Sequence, residues 1–123
     1  MSETITDNAR RTGPALEQTY RFLLWLIPTV DKFPRKHKFL LGDRIQATAL
    51  EVLEGLIEAT YTRKRGELLF RVNLAIEKLR FLVRLSMDLQ SLDRRRYEFA
   101  ARNLDDIGRQ VGGWIKAHRA TQV

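Results

Sequence analysis

Between Glu67 and Leu89 the sequence predicts a helix that is apolar on two opposite sides, and this limits what the chain can fold into. At about 100° per residue, Leu69, Val72, Ile76, Leu79 and Val83 fall on one side. Phe70, Leu74, Phe81 and Leu85 fall on the other. Arg71 and Lys78 run along one seam between the stripes, Arg80 and Arg84 along the other. A helix apolar on two sides has to be covered on two sides. One stripe packs inside a bundle. The second is hidden either by a bent bundle or by another copy of the chain, and self-association through Phe70, Leu74, Phe81 and Leu85 is the expectation.

Three further segments carry a helical period. A first helix is expected from Pro14, with Leu16, Tyr20, Leu23, Leu24 and Ile27 as its buried stripe, a kink at Pro28 and an end at Pro34. A second runs from about Phe39 to Tyr61, with Leu41, Ile45, Thr48, Ala49, Val52, Leu53, Leu56 and Ile57 on one broad face. Glu51, Glu54 and Glu58 gather opposite as a solvated acidic side. The fourth is capped by Ser91 or Asp93 and runs to about His118. Its buried face is Tyr97, Ala100, Ala101, Leu104, Ile107, Val111, Trp114 and Ile115. Gly108, Gly112 and Gly113 either allow close backbone approach or loosen its end. No strand-like alternation longer than a few residues occurs. The reading is all-α: an up-and-down antiparallel four-helix bundle over 14–118, with a flexible tail at 1–13 and a short one at 119–123.

Several function classes are disfavoured. There is no cysteine, so disulfides and thiolate sites are excluded, and the expected compartment is the cytoplasm. The longest apolar run, Phe22–Ile27, is far short of the roughly 20 residues that span a bilayer, so no membrane partner is expected. The only histidines, His37 and His118, have no nucleophile arrangement near them in sequence. No Glu-x-x-His step and no phosphate-cradling glycine loop is present, so no catalytic residue, metal or cofactor is assigned and the chain reads as a non-enzyme.

Charge is more informative. Residues 1–62 hold eight Lys/Arg and eight Asp/Glu, whereas 63–123 hold fourteen against seven, so the whole net charge of +7 lies in the second half. Arg95, Arg102, Arg109 and Lys116 recur every seven residues and drift by only about 20° per heptad, giving one row roughly 30 Å long. Such a row fits the phosphates of a nucleic acid, which arginine grips bidentately. Alternatively, Glu98 and Asp105 stand four residues before Arg102 and Arg109 and could pair with them locally. Two clusters add to the basic surface: Arg63-Lys64-Arg65 at the turn after helix two, and Arg94-Arg95-Arg96 at the start of helix four. In an antiparallel bundle they lie at opposite ends. Basic residues at a helix start oppose the helix dipole, so Arg94–Arg96 point to an external anion or partner carboxylates.

The stretch Lys32-Phe33-Pro34-Arg35-Lys36-His37-Lys38-Phe39-Leu40-Leu41-Gly42-Asp43-Arg44, followed by Ala49-Leu50-Glu51-Val52-Leu53-Glu54-Gly55-Leu56-Ile57-Glu58-Ala59, resembles the accessory variability determinants. These are four-helix-bundle accessory proteins of diversity-generating retroelements. Tyr20, Leu23-Leu24-Trp25-Leu26 and the basic third helix fit as well, so the likeness covers about residues 15–118. A related family, encoded by intervening sequences in large-subunit ribosomal RNA, shares the Phe-Pro loop. Its usual Asn-Ile-Ala-Glu-Gly segment is missing here, which favours the retroelement branch.

The resemblance implies a ring-shaped homopentamer that binds the retroelement reverse transcriptase and its template RNA or cDNA, supports template-primed cDNA synthesis and mutagenic retrohoming, and has no polymerase activity. It assigns no individual residues. The residues expected to hold nucleic acid or polymerase are Arg71, Lys78, Arg80, Arg84, Arg95, Arg102, Arg109 and Lys116, followed by the clusters Arg63–Arg65 and Arg94–Arg96. The rival readings are an RNA-binding bundle of the ribosomal intervening-sequence type without a reverse transcriptase, and an adaptor for an acidic protein partner.

Overall fold

The computed structural model describes the backbone of residues 2–121 and the side chains of residues 13–121. Four long helices are present among them: α1 (Ser2–Asp31), α2 (Asp43–Thr60), α3 (Gly66–Asp88) and α4 (Arg94–Thr121). A three-residue turn, Arg35–His37, and a π-helical turn, Lys38–Gly42, lead into α2. α2 packs against α1 and α3, and α4 packs against α3 and α1. The helices thus circle the core in chain order, with α1 and α3 on one diagonal and α2 and α4 on the other. No described helix is long and apolar enough to cross a membrane.

The predicted stripe on α3 forms the core as read, and that on α4 does so except at Tyr97, Ala101 and Ile115, which are only half-buried at its margins. Leu69, Val72, Ile76, Leu79 and Val83 are buried, as are Ala100, Leu104, Ile107, Val111 and Trp114. Fully burying a Leu or Ile of this kind stabilises the fold by about 1.5–3 kcal/mol. Helix boundaries move slightly: α4 extends to Thr121, past the expected His118. Pro14 lies inside α1 instead of opening it. Of the expected tail at 1–13, the side chains of residues 1–12 lie outside the described residues, as do Gln122 and Val123 of the tail at 119–123.

The expected core stripe of the first helix needs correction. Tyr20 and Leu24 are 53% and 61% exposed, and Ile27 is exposed too. The buried side is Ala15, Thr19, Phe22, Leu23, Leu26 and Val30. Phe22–Ile27 is apolar all round the helix, so period alone does not choose the inner side. Neighbours choose it. Trp25 turns towards α4, its ring 4.6 Å from that of Phe99, and Thr19 sits inside because its hydroxyl donates to the Ala15 carbonyl at 2.7 Å. Thr60 and Ser86 are buried by the same device, donating to Leu56 and Leu82 carbonyls. On α2, Ile57 is likewise exposed, with Leu50 beside it, instead of buried.

The α3–α4 turn is closed by backbone bonds. Ser91 N–H donates to the Ser86 carbonyl at 2.8 Å and Gln90 N–H to that of Met87 at 2.9 Å. Gln90 takes φ 64°, the left-handed conformation this helix terminator requires. Leu92 then turns inward and is buried.

Three glycines separate two roles. A Cβ on Gly55 would collide with the Val72 side chain, so Gly55 sets how closely α2 approaches α3. Gly112 and Gly113 have open space where a Cβ would go. Gly112→Ala and Gly113→Ala should therefore each raise stability by about 1 kcal/mol through helix propensity. Gly55→Ala should lose about 1–2 kcal/mol, because overpacking outweighs the same gain. Urea unfolding of the three variants checks the opposite signs.

Candidate nucleic-acid interface

On α4, Leu104, Ile107 and Val111 point into the core, Asp105 and Gly108 face α3, and Phe99, Asn103 and Gln110 face α1. Gln18 of α1 ties that last side down, donating to Asn103 Oδ1 at 3.4 Å and accepting from Gln110 Nε2 at 2.7 Å. What remains is the outward side, and Arg95, Arg102, Arg109 and Lys116 lie along it, all exposed.

Their pairing differs from the simple i, i+4 expectation. Glu98 reaches back to Arg94 at 3.4 Å, leaving Arg102 without it. Asp105 crosses to Arg80 on α3 at 3.5 Å, and Arg109 pairs with Asp106. Among the described residues Arg95, Arg102 and Lys116 make no ion pair, so three of the four charges in the row are available to a ligand.

The remaining expected site residues divide into three groups. Arg63 and Lys64 are exposed at the α2–α3 turn, but Arg65 is 6% exposed. Its Nε donates to the Thr62 carbonyl at 2.7 Å and its guanidinium lies 5.3 Å from the centre of the Trp114 ring. Arg65 belongs to the fold, and the cluster presents two charges to solvent. Arg80 is half-buried between Glu77 and Asp105, in space that the missing Cβ of Gly108 leaves open. Arg84 is exposed on the same side of α3. Arg71 lines a groove with Glu51, Glu54 and Glu58, and Lys78 lines the neighbouring groove with Glu51 and Glu77. Arg71 therefore sits in an acidic field, a poor setting for phosphate, whereas Lys78 shares its groove with Arg44 as well. Phe70, Leu74, Phe81 and Leu85 are all exposed, Phe70 and Phe81 by 63% and 61%, so no bend of the bundle hides the second stripe.

The dipole cost at the start of α4 is offset from within the chain. Asp93 caps the helix, accepting from the Arg96 N–H at 2.8 Å, and it also pairs with the Arg96 side chain. Arg94 is paired with Glu98, leaving Arg95 as the open charge of the three. The backbone hydrogen bond from Arg96 comes first among the causes that hold the Asp93 carboxyl below the usual aspartate value, followed by the Arg96 side chain and the charges of Arg96 and Arg95. A carboxyl lowered on folding adds stability above its unfolded pKa and loses it as pH falls through the lower, folded one. Asp93→Ala should therefore lower the melting temperature at neutral pH, through loss of the helix cap. The gap between variant and parent should close below about pH 4, as thermal melts across pH would show.

One set of basic residues went unassigned in the sequence reading. The loop after α1 carries Lys32, Arg35, Lys36 and Lys38, and its His37 Nδ1 lies 2.6 Å from Ser91 Oγ in the α3–α4 turn. Residues 31–38 and 88–96 together hold seven Lys/Arg against three Asp, and exposed Phe39 and Leu40 lie just beyond them. The available signal was topological, since an up-and-down bundle puts its first and third turns at one end. At the other end His118 lies beside Gly66, close in sequence to Arg63 and Lys64. The α4 row thus runs from one basic end to the other.

Among the described residues no group of His, Asp or Glu is arranged to hold a metal ion. No curated protein matches this chain. A family model described as bAvd-like matches it over residues 15–118.

Proposed function

The chain belongs to the bAvd-like family, accessory proteins of diversity-generating retroelements, and from that premise we propose that it is a non-catalytic scaffold for the retroelement reverse transcriptase and its template RNA or cDNA. On this reading several copies, five by family resemblance, form a ring whose basic surface holds nucleic acid while the polymerase primes and extends. The observation that supports it best is the outward row of α4, where Arg95, Arg102 and Lys116 make no ion pair among the described residues and join two basic ends over roughly 30 Å. Cations in a row on a rigid helix contact phosphates and give affinity without base readout. Phe39 and Leu40, exposed beside the basic end, suit stacking or a polymerase contact.

The test is co-purification with the neighbouring reverse transcriptase, together with binding to the template RNA across a salt series. Expected are a ternary complex and an affinity that falls steeply and log-linearly with salt. An affinity flat in salt, or an isolated chain that binds neither RNA nor polymerase, would overturn the reading. Binding of RNA with no polymerase contact would point instead to the ribosomal intervening-sequence type of bundle.

A further inference from the structure

We infer that the cavity where α1 meets the start of α4 takes one unpaired base of an RNA strand, and that guanine fits it best. The inference rests on the phosphate-binding row proposed above and adds to it a contact with a base.

The cavity has a volume of about 360 Å³ and is lined by Trp25, Asp93, Arg95, Arg96 and Phe99. Small-ligand sites commonly span about 300–1,000 Å³. Its walls are two aromatic rings, two guanidiniums and one carboxylate. The rings and the carboxylate make it a poor seat for a bare phosphate. Three charged groups make it a poor seat for an aliphatic chain. A flat heterocycle with N–H and carbonyl groups on its rim suits all five residues.

The aromatic wall is held from inside. Phe22, buried in the core, packs on Trp25 with ring centres 5.9 Å apart and planes 24° apart. Phe99 meets Trp25 at 4.6 Å and 47°, and is itself 40% exposed, so part of an aromatic ring is left to solvent at the cavity wall. An exposed aromatic beside cations is the arrangement that binds single strands, since every base has a π face and arginine stacks on bases too. Phe99 lies one turn after Arg95 and one turn before Arg102, within about 60° of each round the helix. A strand whose phosphates follow these two arginines therefore passes the mouth of the cavity, and one nucleotide can turn its base in. Bases stacked in a duplex cannot, so the site selects unpaired segments, loops and bulges.

The preference for guanine follows from the polar rim. Arg95 makes no ion pair among the described residues, which leaves its fork for the O6 and N7 acceptors of guanine. Asp93 accepts from the Arg96 N–H through Oδ1 and from the Arg96 side chain through Oδ2. Each carboxylate oxygen keeps a further acceptor site. Guanine alone among the four bases carries two adjacent N–H donors, at N1 and N2, to meet a carboxylate's two oxygens.

The experiment compares three short RNA oligomers of equal charge: an oligouridylate, the same with one central guanosine, and the same with one central abasic residue. By fluorescence anisotropy the guanosine oligomer should bind about tenfold tighter than the abasic one, with the oligouridylate between them. Phe99→Ala and Phe99→Leu should both erase that margin while leaving the salt slope unchanged, because no phosphate contact is lost. The position is exposed, so folding checked by circular dichroism should survive. Asp93→Asn keeps a good helix cap but turns one acceptor into a donor, so guanosine should lose its lead over uridine. Tryptophan emission gives a second readout. Of the two tryptophans, Trp114 is buried roughly 20 Å along α4 from Phe99, so quenching by the guanosine oligomer should report Trp25. Equal binding of the guanosine and abasic oligomers, or a margin that survives both Phe99 changes, would overturn the base site and leave the phosphate row standing. A guanosine lead untouched by Asp93→Asn would overturn the assignment of guanine. A chain that binds none of the three oligomers would remove the nucleic-acid reading itself.

Discussion

Replacing Arg95, Arg102 and Lys116 together by alanine should weaken binding of the template RNA about a hundredfold at near-physiological salt. The three charges are exposed and make no ion pair among the described residues, so each is available to contact a phosphate. An exposed charge-assisted contact contributes about 1 kcal/mol, and three of them correspond to roughly two decades in affinity. The salt dependence gives an independent reading. Each lost phosphate contact removes about 0.7 from the log–log slope on single strands, so the slope should fall by about 2. Arg109→Ala removes a charge already paired with Asp106, and Arg71→Ala removes one set among glutamates. Each should change affinity by less than about threefold. Fluorescence anisotropy at several salt concentrations separates these cases. If Arg71→Ala proved as damaging as the triple change, the outward row would not be the RNA surface. Assembly would enlarge the effect, because a ring presents several copies of the row to one RNA.

Arg65→Ala should instead destabilise the chain by about 2–4 kcal/mol. Its guanidinium is buried, bonds the Thr62 carbonyl and covers the Trp114 ring, holding the α2–α3 turn against the last turns of α4. A desolvated cation–π contact is worth up to about 2 kcal/mol and a hydrogen bond to a charged donor about 1.5–3 kcal/mol, though the two do not simply add. Against a total stability of about 5–15 kcal/mol for a domain of this size, that loss is large. Arg65→Lys should recover little of it, since an ammonium can neither stack as a plane nor donate from the same fork. Arg63→Ala, two residues away and exposed, should change stability by under about 0.5 kcal/mol. Urea unfolding distinguishes the two arginines, which the sequence presents as neighbours in a single basic cluster.

The inner sides of α3 and α4 were legible because each has one apolar stripe flanked by charges, so the 3.6-residue period has a single solution. The two-sided character of α3 was legible for the same reason, and exposed Phe70, Leu74, Phe81 and Leu85 agree with it. On α1 the period has two solutions. Leu24 and Leu23 are the same residue type one position apart, yet one is exposed and the other buried. Thr19, Thr60 and Ser86 were invisible as core residues because polarity alone places them outside, whereas a hydroxyl bonded to the carbonyl one turn back can lie inside. Ion pairing was misread on α4 because an isolated helix offers Asp105 only its own neighbours. In the bundle Arg80 reaches it from α3.

By itself the sequence determined what depends on local spacing. That covers four helices, a charge of +7 confined to the second half, a heptad row of cations and one helix with an apolar side to spare. Period, turn residues and charge are properties of short stretches of chain, and they survive without knowledge of the partners. Only the tertiary structure decided which of several equal apolar sides faces inward, which arginine is consumed by the core and which carboxylates are already engaged. Those outcomes depend on residues distant in sequence, from Arg80 and Asp105 to Trp25 and Phe99, brought together by packing. The same packing joins the row on α4 to a basic loop after α1, and leaves α1 and α3 each with an apolar side in search of a neighbour.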